Sequence, residues 1–516
     1  MKKLILSLVA VVLVVGCLIL GVYLLTKPRN EGEDNGDNGS TAGDVHVHSF
    51  IEVEDERYLA SEPAMCGHPV HYYYSCACGE KSTDTFYGTA QHILVDGICT
   101  RCDSGASKGF TFSEYDKELL TDDGSCTDSD VVIPQISPSG TYVSRIGNRA
   151  FAGNETIETL VIPHTVTYIG EGAFQNCKNL KSVTLPRSVT HIADGAFEGC
   201  SALTEITLPE YVTVIGKRAF AHCSALTAIT LPDTLSEIAD ETFYVCSALE
   251  RVTIPNSVSA VGENAFFGCL AIKEANLSAD LLAAIPKGKL QTLHITSGTT
   301  IAEGALENCT NLESVTFDHA TVYNFGARAF QNCIKLKSFY HVGGDINHFG
   351  ADAFRGCEAL TTVDIGSIHG WFDITFDNEY ANPMYYSHGL YSRGEEVLNL
   401  PYGSDPVTEI KPYAFIHFDA LTIVNIYDTT ERVGEYAFYG CENLEGVVIH
   451  SGTREIAKGA FADCDALEQL AFMQTSGWTV SPLKGATSGT SIDVSDSWIA
   501  AAQMRGSYEL FYWKRS

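Results

Sequence analysis

Five cysteines and five histidines crowd the segment 46–104: Cys66, Cys76, Cys78, Cys99 and Cys102 with His46, His48, His68, His71 and His92. Cys99-Thr-Arg-Cys102 is a C-x-x-C pair, and Cys76-Ala-Cys78-Gly79 is one residue tighter. Thiolates and imidazoles at such spacing are the donor set of a tetrahedral zinc site. Such a site can organise a segment too short for its own core. The expectation is one structural zinc on Cys76, Cys78, Cys99 and Cys102, with His92 or Cys66 able to replace one ligand. Disulfides are the open alternative, since export would permit them; elemental analysis of the segment separates the two. Redox use of the C-x-x-C pair finds no thioredoxin-like βαβ pattern around it. The chain has no H-E-x-x-H, G-x-S-x-G or Walker motif, so nothing in it points to an enzyme.

Ten further cysteines recur in a column, from Cys177, Cys200, Cys223, Cys246 and Cys269 through Cys309, Cys333 and Cys357 to Cys441 and Cys464. Asn154 and Phe418 occupy the same place in their units. A column that accepts Asn and Phe is a set of packing thiols rather than a disulfide framework. What positions that column is a repeat. Phenylalanine recurs at Phe151, Phe174, Phe197, Phe220, Phe243 and Phe266, each 23 residues after the last. The repeat resumes at Leu306, Phe330 and Phe354, now spaced by 24, and again at Phe415, Phe438 and Phe461, spaced by 23. In one unit Leu180, Val183 and Leu185 form L-x-x-V-x-L, whose last part alternates as a strand does, and Pro186 ends the strand because proline cannot donate to a ladder. Val189 and Ile192 form a second short apolar segment. Gly195 marks a tight turn, and Ala196 and Phe197 put a small and a large side chain into a helical turn. A single unit cannot bury both sides of its apolar stripe, whereas stacked units can, which predicts a solenoid.

The recurring form L-x-x-[VI]-x-[LI]-P-x-x-V-x-x-I-[GA]-x-x-A-F-x-x-C, read at 180–200, 203–223 and 249–269, resembles the BspA-like class of leucine-rich repeats. The resemblance covers about 145–470. It implies a leucine-rich repeat solenoid of parallel β-sheet coils with short helical turns. It also implies a surface-exposed bacterial binding protein, often an adhesin, without enzymatic activity. Two intervals depart from the period. One, near 270–305, is expected to hold a helix over 278–287 outside the regular coil. The other, 366–411, is rich in aromatics, and Leu398-Asn-Leu400-Pro401 within it reads as one more repeat strand. Insertions with an Asn-Pro-x-Tyr-Tyr segment recur in this class. Thr475-Ser476-Gly477-Trp478 and Tyr512-Trp513-Lys514 resemble its terminal segment, which implies a cap over 471–516. The cysteine segment also resembles a module found ahead of repeat arrays in exported bacterial proteins.

Thr184, Thr207, Thr230 and Thr253 share one strand position that points away from the core. They are candidate binding residues, as are Tyr385 and Tyr386 of the aromatic insertion; β-propensity on a solvent face and core filling are the competing readings of each. At the N-terminus an apolar run over residues 4–25 follows Lys2 and Lys3. At 1.5 Å per residue it gives roughly 33 Å of helix, enough to span a bilayer. An uncleaved anchor over 1–27 is expected, followed by an acidic tether over 28–44, the zinc-ribbon-like module over 45–104 and a connector over 105–144. Val14-Val15-Gly16-Cys17 leaves lipidation at Cys17 open, and simple cleavage of the run is the third reading. All three place the body outside the cell. The 516 residues carry a net charge of −31, which disfavours nucleic acid as a partner. The resulting expectation is a membrane-anchored surface scaffold for a host or neighbouring-cell protein, with a ligand-free structural role in the envelope as the alternative.

Overall fold

The computed structural model describes residues 107, 110–113, 128–137, 141–317, 322–341, 345–400 and 407–515 in full. It describes the strands Phe50–Ile51, His71–Cys76, Lys81–Tyr87, Leu94–Val95, Ile98–Cys99 and Glu118–Asp122 as backbone. The apolar run with Cys17, the tether, Cys78, His92 and Cys102 lie outside those residues. Among the described residues no helix is long and apolar enough to cross a membrane. The chain divides into two units, Met1–Ala90 and Gln91–Ser516. In the first, Lys81–Tyr87, His71–Cys76 and Phe50–Ile51 form an antiparallel sheet. Cys76 ends one of its strands, while Cys99 belongs to a small hairpin of the second unit.

The second unit is a solenoid, and the repeat explains its coil. Leu180, Val183, Val189, Ile192, Ala196, Phe197 and Cys200 are all buried, while Thr184 between them is exposed. Each coil therefore contributes one face strand, such as Ser182–Thr184, and one shorter strand across the core, such as His191–Ile192. Both pair in parallel with residues 23 positions away. The Ala-Phe turn closes the coil and stacks in the same way. Arg218, Phe220 and His222 donate their N–H groups to the carbonyls of Asp240, Thr242 and Tyr244, at 3.1, 2.9 and 2.7 Å. The phenylalanine rings stack along the axis, with Phe197, Phe220 and Phe243 at centroid separations of 5.5 and 5.6 Å and nearly parallel planes.

The ten repeat cysteines are free and buried. Cys246 Sγ donates to the carbonyl of Phe220 at 3.2 Å, and Cys177, Cys200, Cys223 and Cys269 make the equivalent bond to the preceding coil. Burial pushes the thiols of Cys177 and Cys223 up to about 12, so they stay protonated donors rather than nucleophiles.

Both ends of the solenoid are covered. The strand Asp130–Val132 already pairs with Thr159–Val161, so coil geometry begins ahead of Arg145. The hairpin of Phe110–Ser113 and Glu118–Asp122 lies against Arg145–Ile146, with the Phe110 ring edge-on to Phe151 at 5.7 Å. At the other end Tyr512–Arg515 runs antiparallel to Glu455–Ile456 and Trp478–Ser481. Trp478 and Trp513 close the core there, almost wholly buried. Antiparallel pairing stops the ladder, because no further coil can add in register.

The two irregular intervals differ in kind. Over 270–305 the face sheet runs straight through, since Glu274–Leu277 pairs with Thr292–Ile295. Those strands are 18 residues apart, too few for a second strand and a turn. A 3-10 helix, Ala279–Ala284, stands in for both, and Asp280 N–H donates to the Ser278 hydroxyl at its start. Over 366–411 the nine-strand face sheet ends in an antiparallel hairpin of Tyr391–Ser392 and Glu395–Glu396. The expectation of a repeat strand at Leu398-Asn-Leu400 is corrected. Those residues are irregular and Leu398 is 56% exposed, because the hairpin has already closed the sheet edge on which they would have paired.

Candidate functional site

A face strand alternates one inward and one outward side chain, so register converts the outward residues into a column. Thr230, Thr253, Asn276, His294, Thr316, Tyr340 and Asp364 follow one another across paired strands. Thr184 pairs with Val161 at the near end. Thr184, Thr207 and Thr230 are exposed and Thr253 is half-buried. The outward assignment made from the sequence therefore holds at all four.

The face sheet loosens between Glu205–Ile206 and Ala228–Thr230, which fall in separate ladders, although Thr227 N–H still reaches the Thr204 carbonyl at 3.2 Å. A groove of about 930 Å³ opens there. Thr207, Thr230, Thr253 and Asn276 form its floor, and Tyr211, Asp233, Asn256 and Thr296 come from the loops that follow the strands. Asn256 Oδ1 accepts from the hydroxyls of Thr296 and Ser297 at 2.6 and 2.7 Å, which fixes one wall. The Oδ1 of Asn276 is buried without a hydrogen-bond partner. Glu205, Glu210 and Asp233 line the groove and no Lys or Arg does. A hydrogen bond from Arg187 holds the Glu210 carboxyl below its usual range, so it stays ionised. The groove thus offers hydroxyls, amides, one half-exposed aromatic ring and apolar side chains such as Ile229, Leu231 and Ile254, with Glu205 and Asp233 as its acidic groups and Glu210 ion-paired to Arg187. Among the described residues no cluster of His, Cys, Asp and Glu could hold a metal ion.

Three of the four threonines proposed from the sequence meet in the groove, and Thr184 lies outside its lining. Tyr211, Asn256, Asn276 and Thr296 were missed. Asn276 could have been found, because it stands 23 residues after Thr253. Thr296 could not, because it follows the shortened coil.

Tyr385 and Tyr386 are half-buried and belong to a different place. The insertion adds coil-to-coil bonds of its own. Phe354 N–H donates to the Tyr380 carbonyl at 2.9 Å, and Gly356 N–H to the Tyr386 hydroxyl at 2.8 Å. Further on, Trp371 Nε1 donates to the Ala414 carbonyl at 2.7 Å, and Asn382 Nδ2 to the carbonyls of Tyr413 and Ala414. Tyr385 packs between the rings of Tyr380, Tyr386 and His417 at 4.7–5.0 Å. Trp371, Phe372, Phe376 and Met384 are core residues.

The BspA type leucine rich repeat region matches the chain in six copies, over residues 144–280, 286–380 and 397–481. The chain belongs to the BspA-type leucine-rich repeat family. Similar solved structures include a leucine rich cell surface protein from Faecalibacterium prausnitzii at 24% identity. That match covers 71% of this chain and 93% of that one, with a TM-score of 0.29. A leucine-rich repeat protein from Bacteroides ovatus matches at 23% identity over 70% and 92% of the two chains, also with a TM-score of 0.29. An internalin from Listeria monocytogenes matches at 13% identity over 62% and 88%, with a TM-score of 0.26. No curated protein matches the chain. Membership rests on the repeat match. Leucine-rich repeat arrays of this kind are generally protein-interaction scaffolds.

Proposed function

We propose that this BspA-type chain is an exported, membrane-anchored scaffold that captures a protein ligand in the groove around Thr207 and Thr230. The observation that carries the reading is the groove itself: a break in the sheet face where threonine hydroxyls and carboxylates are set among apolar side chains. Its charge suits a ligand with a basic surface. A host or neighbouring-cell surface protein is the partner class that fits an exported array. Changing Thr207 and Thr230 together to lysine should cost under about 1 kcal/mol of fold stability, because both side chains are solvent-facing. The same change should remove capture of surface proteins by the soluble body while leaving the melting curve in place. Equal capture by wild type and double variant would show that the ligand sits elsewhere.

The apolar run at the N-terminus supports the anchor. The full chain should fractionate with membranes and be digested by protease added to intact cells. Retention on the surface after deletion of residues 1–27 would refute the anchor.

A further inference from the structure

The shortened coil at 274–295 leaves the side of the solenoid opposite the face sheet incomplete. The strand Ala260–Val261 pairs only with Glu237–Ile238, and the next strand on that side, Thr300–Ile301, opens a separate sheet. One coil earlier, the carbonyls of Ser236 and Ile238 accept from Ser259 and Gly262 at 3.0 and 2.7 Å. Among the described residues, the carbonyls of Ser259 and Val261 accept no such backbone N–H. The turn that follows shows the same gap. Glu241, Phe243 and Val245 donate to Glu263, Ala265 and Phe267, whereas the N–H groups of Asn264, Phe266 and Gly268 reach no carbonyl of a following coil. A notch of about 600 Å³ lies between this edge and the 3-10 helix. Its walls are Val261, Phe267, Leu281, Ala284 and Ile285, and Asp280 is the one charged residue lining it. Phe267 is 58% exposed.

A row of unsatisfied backbone groups beside an apolar wall is the arrangement that recruits an added strand. We propose that this notch takes an extended, basic segment of a protein partner, which pairs with Ala260–Val261, supplies carbonyls to the open turn and sets a cation against Asp280. The charge follows from Asp280 being unopposed among the lining residues. The site is separate from the threonine groove, so the two can fail independently.

The test uses the full chain and two capped peptides, KVTVTVK and EVTVTVE. In the free protein the amides of Asn264, Phe266 and Gly268 should exchange with solvent faster than those of Arg218, Phe220 and His222. Saturating KVTVTVK should slow the first three about tenfold and leave the second three unchanged. EVTVTVE should bind about tenfold more weakly, and Asp280→Lys should reverse that preference. Ala284→Trp, which fills the notch, should abolish the protection, with a melting scan confirming that both variants fold. The proposal is overturned if KVTVTVK at millimolar concentration protects none of the three amides. It is equally overturned if binding persists unchanged in Ala284→Trp.

Discussion

Phe220→Ala should destabilise the solenoid by about 3–5 kcal/mol, through lost burial and the cavity left behind. Phe220 is fully buried and its ring is sandwiched between Phe197 and Phe243. The thiol hydrogen bond from Cys246 Sγ to the Phe220 carbonyl survives the change, so the loss is one of packing alone. Each coil touches only its neighbours, so the effect should be local. Hydrogen exchange should accelerate in the coils of Phe197, Phe220 and Phe243 and stay unchanged around Phe438. Chemical denaturation gives the magnitude. A loss below about 1 kcal/mol, or one spread evenly along the array, would contradict the stacked-ring account.

Asn382→Ala should cost about 3 kcal/mol and uncouple the coils beyond residue 407 from those before it. Asn382 is fully buried. Its Nδ2 holds the Tyr413 and Ala414 carbonyls at 2.7 and 3.1 Å, and its Oδ1 accepts from Met384 N–H at 2.9 Å. Truncation leaves the buried Met384 N–H and the half-buried Tyr413 carbonyl without these partners, while Ala414 keeps its bond from Trp371. Neither ladder crosses this point, because the face sheet ends in a hairpin and the opposite sheet ends at Thr375–Phe376. The side-chain bonds of the insertion therefore stand in for backbone continuity. Thermal unfolding of the variant should split into two transitions, with hydrogen exchange assigning the lower one to residues 407–515. A single transition at the wild-type temperature would show that the insertion does not couple the two halves.

Much of the coil was legible because its information is periodic. The 23-residue recurrence of phenylalanine and cysteine, the strand alternation at Val183 and Leu185, and Pro186 after the strand all report local geometry repeated in register. The inward set and the outward threonines follow from those periods directly. The aromatic insertion was harder. Composition alone cannot separate an exposed Tyr385 from a packed one, since both choices satisfy the same hydropathy.

By itself the sequence determined the solenoid, its family and which side chains of each strand face solvent, because those depend on spacing within one unit. Only the tertiary structure decided what happens between units. Gly195 marks a tight turn in the sequence, and its φ of +60° makes that turn left-handed. Yet Arg149, Arg218, Glu241 and Asn264 hold the same place with φ of 55–57°. Their N–H groups explain why in three cases: Arg149, Arg218 and Glu241 each donate to the following coil, and that bond offsets the strain of a side chain in this region. At Asn264 the bond is missing, because eighteen residues cannot build the coil that would have supplied it. The groove, the notch and the coupling at Asn382 arise in the same way, where neighbouring coils stop matching.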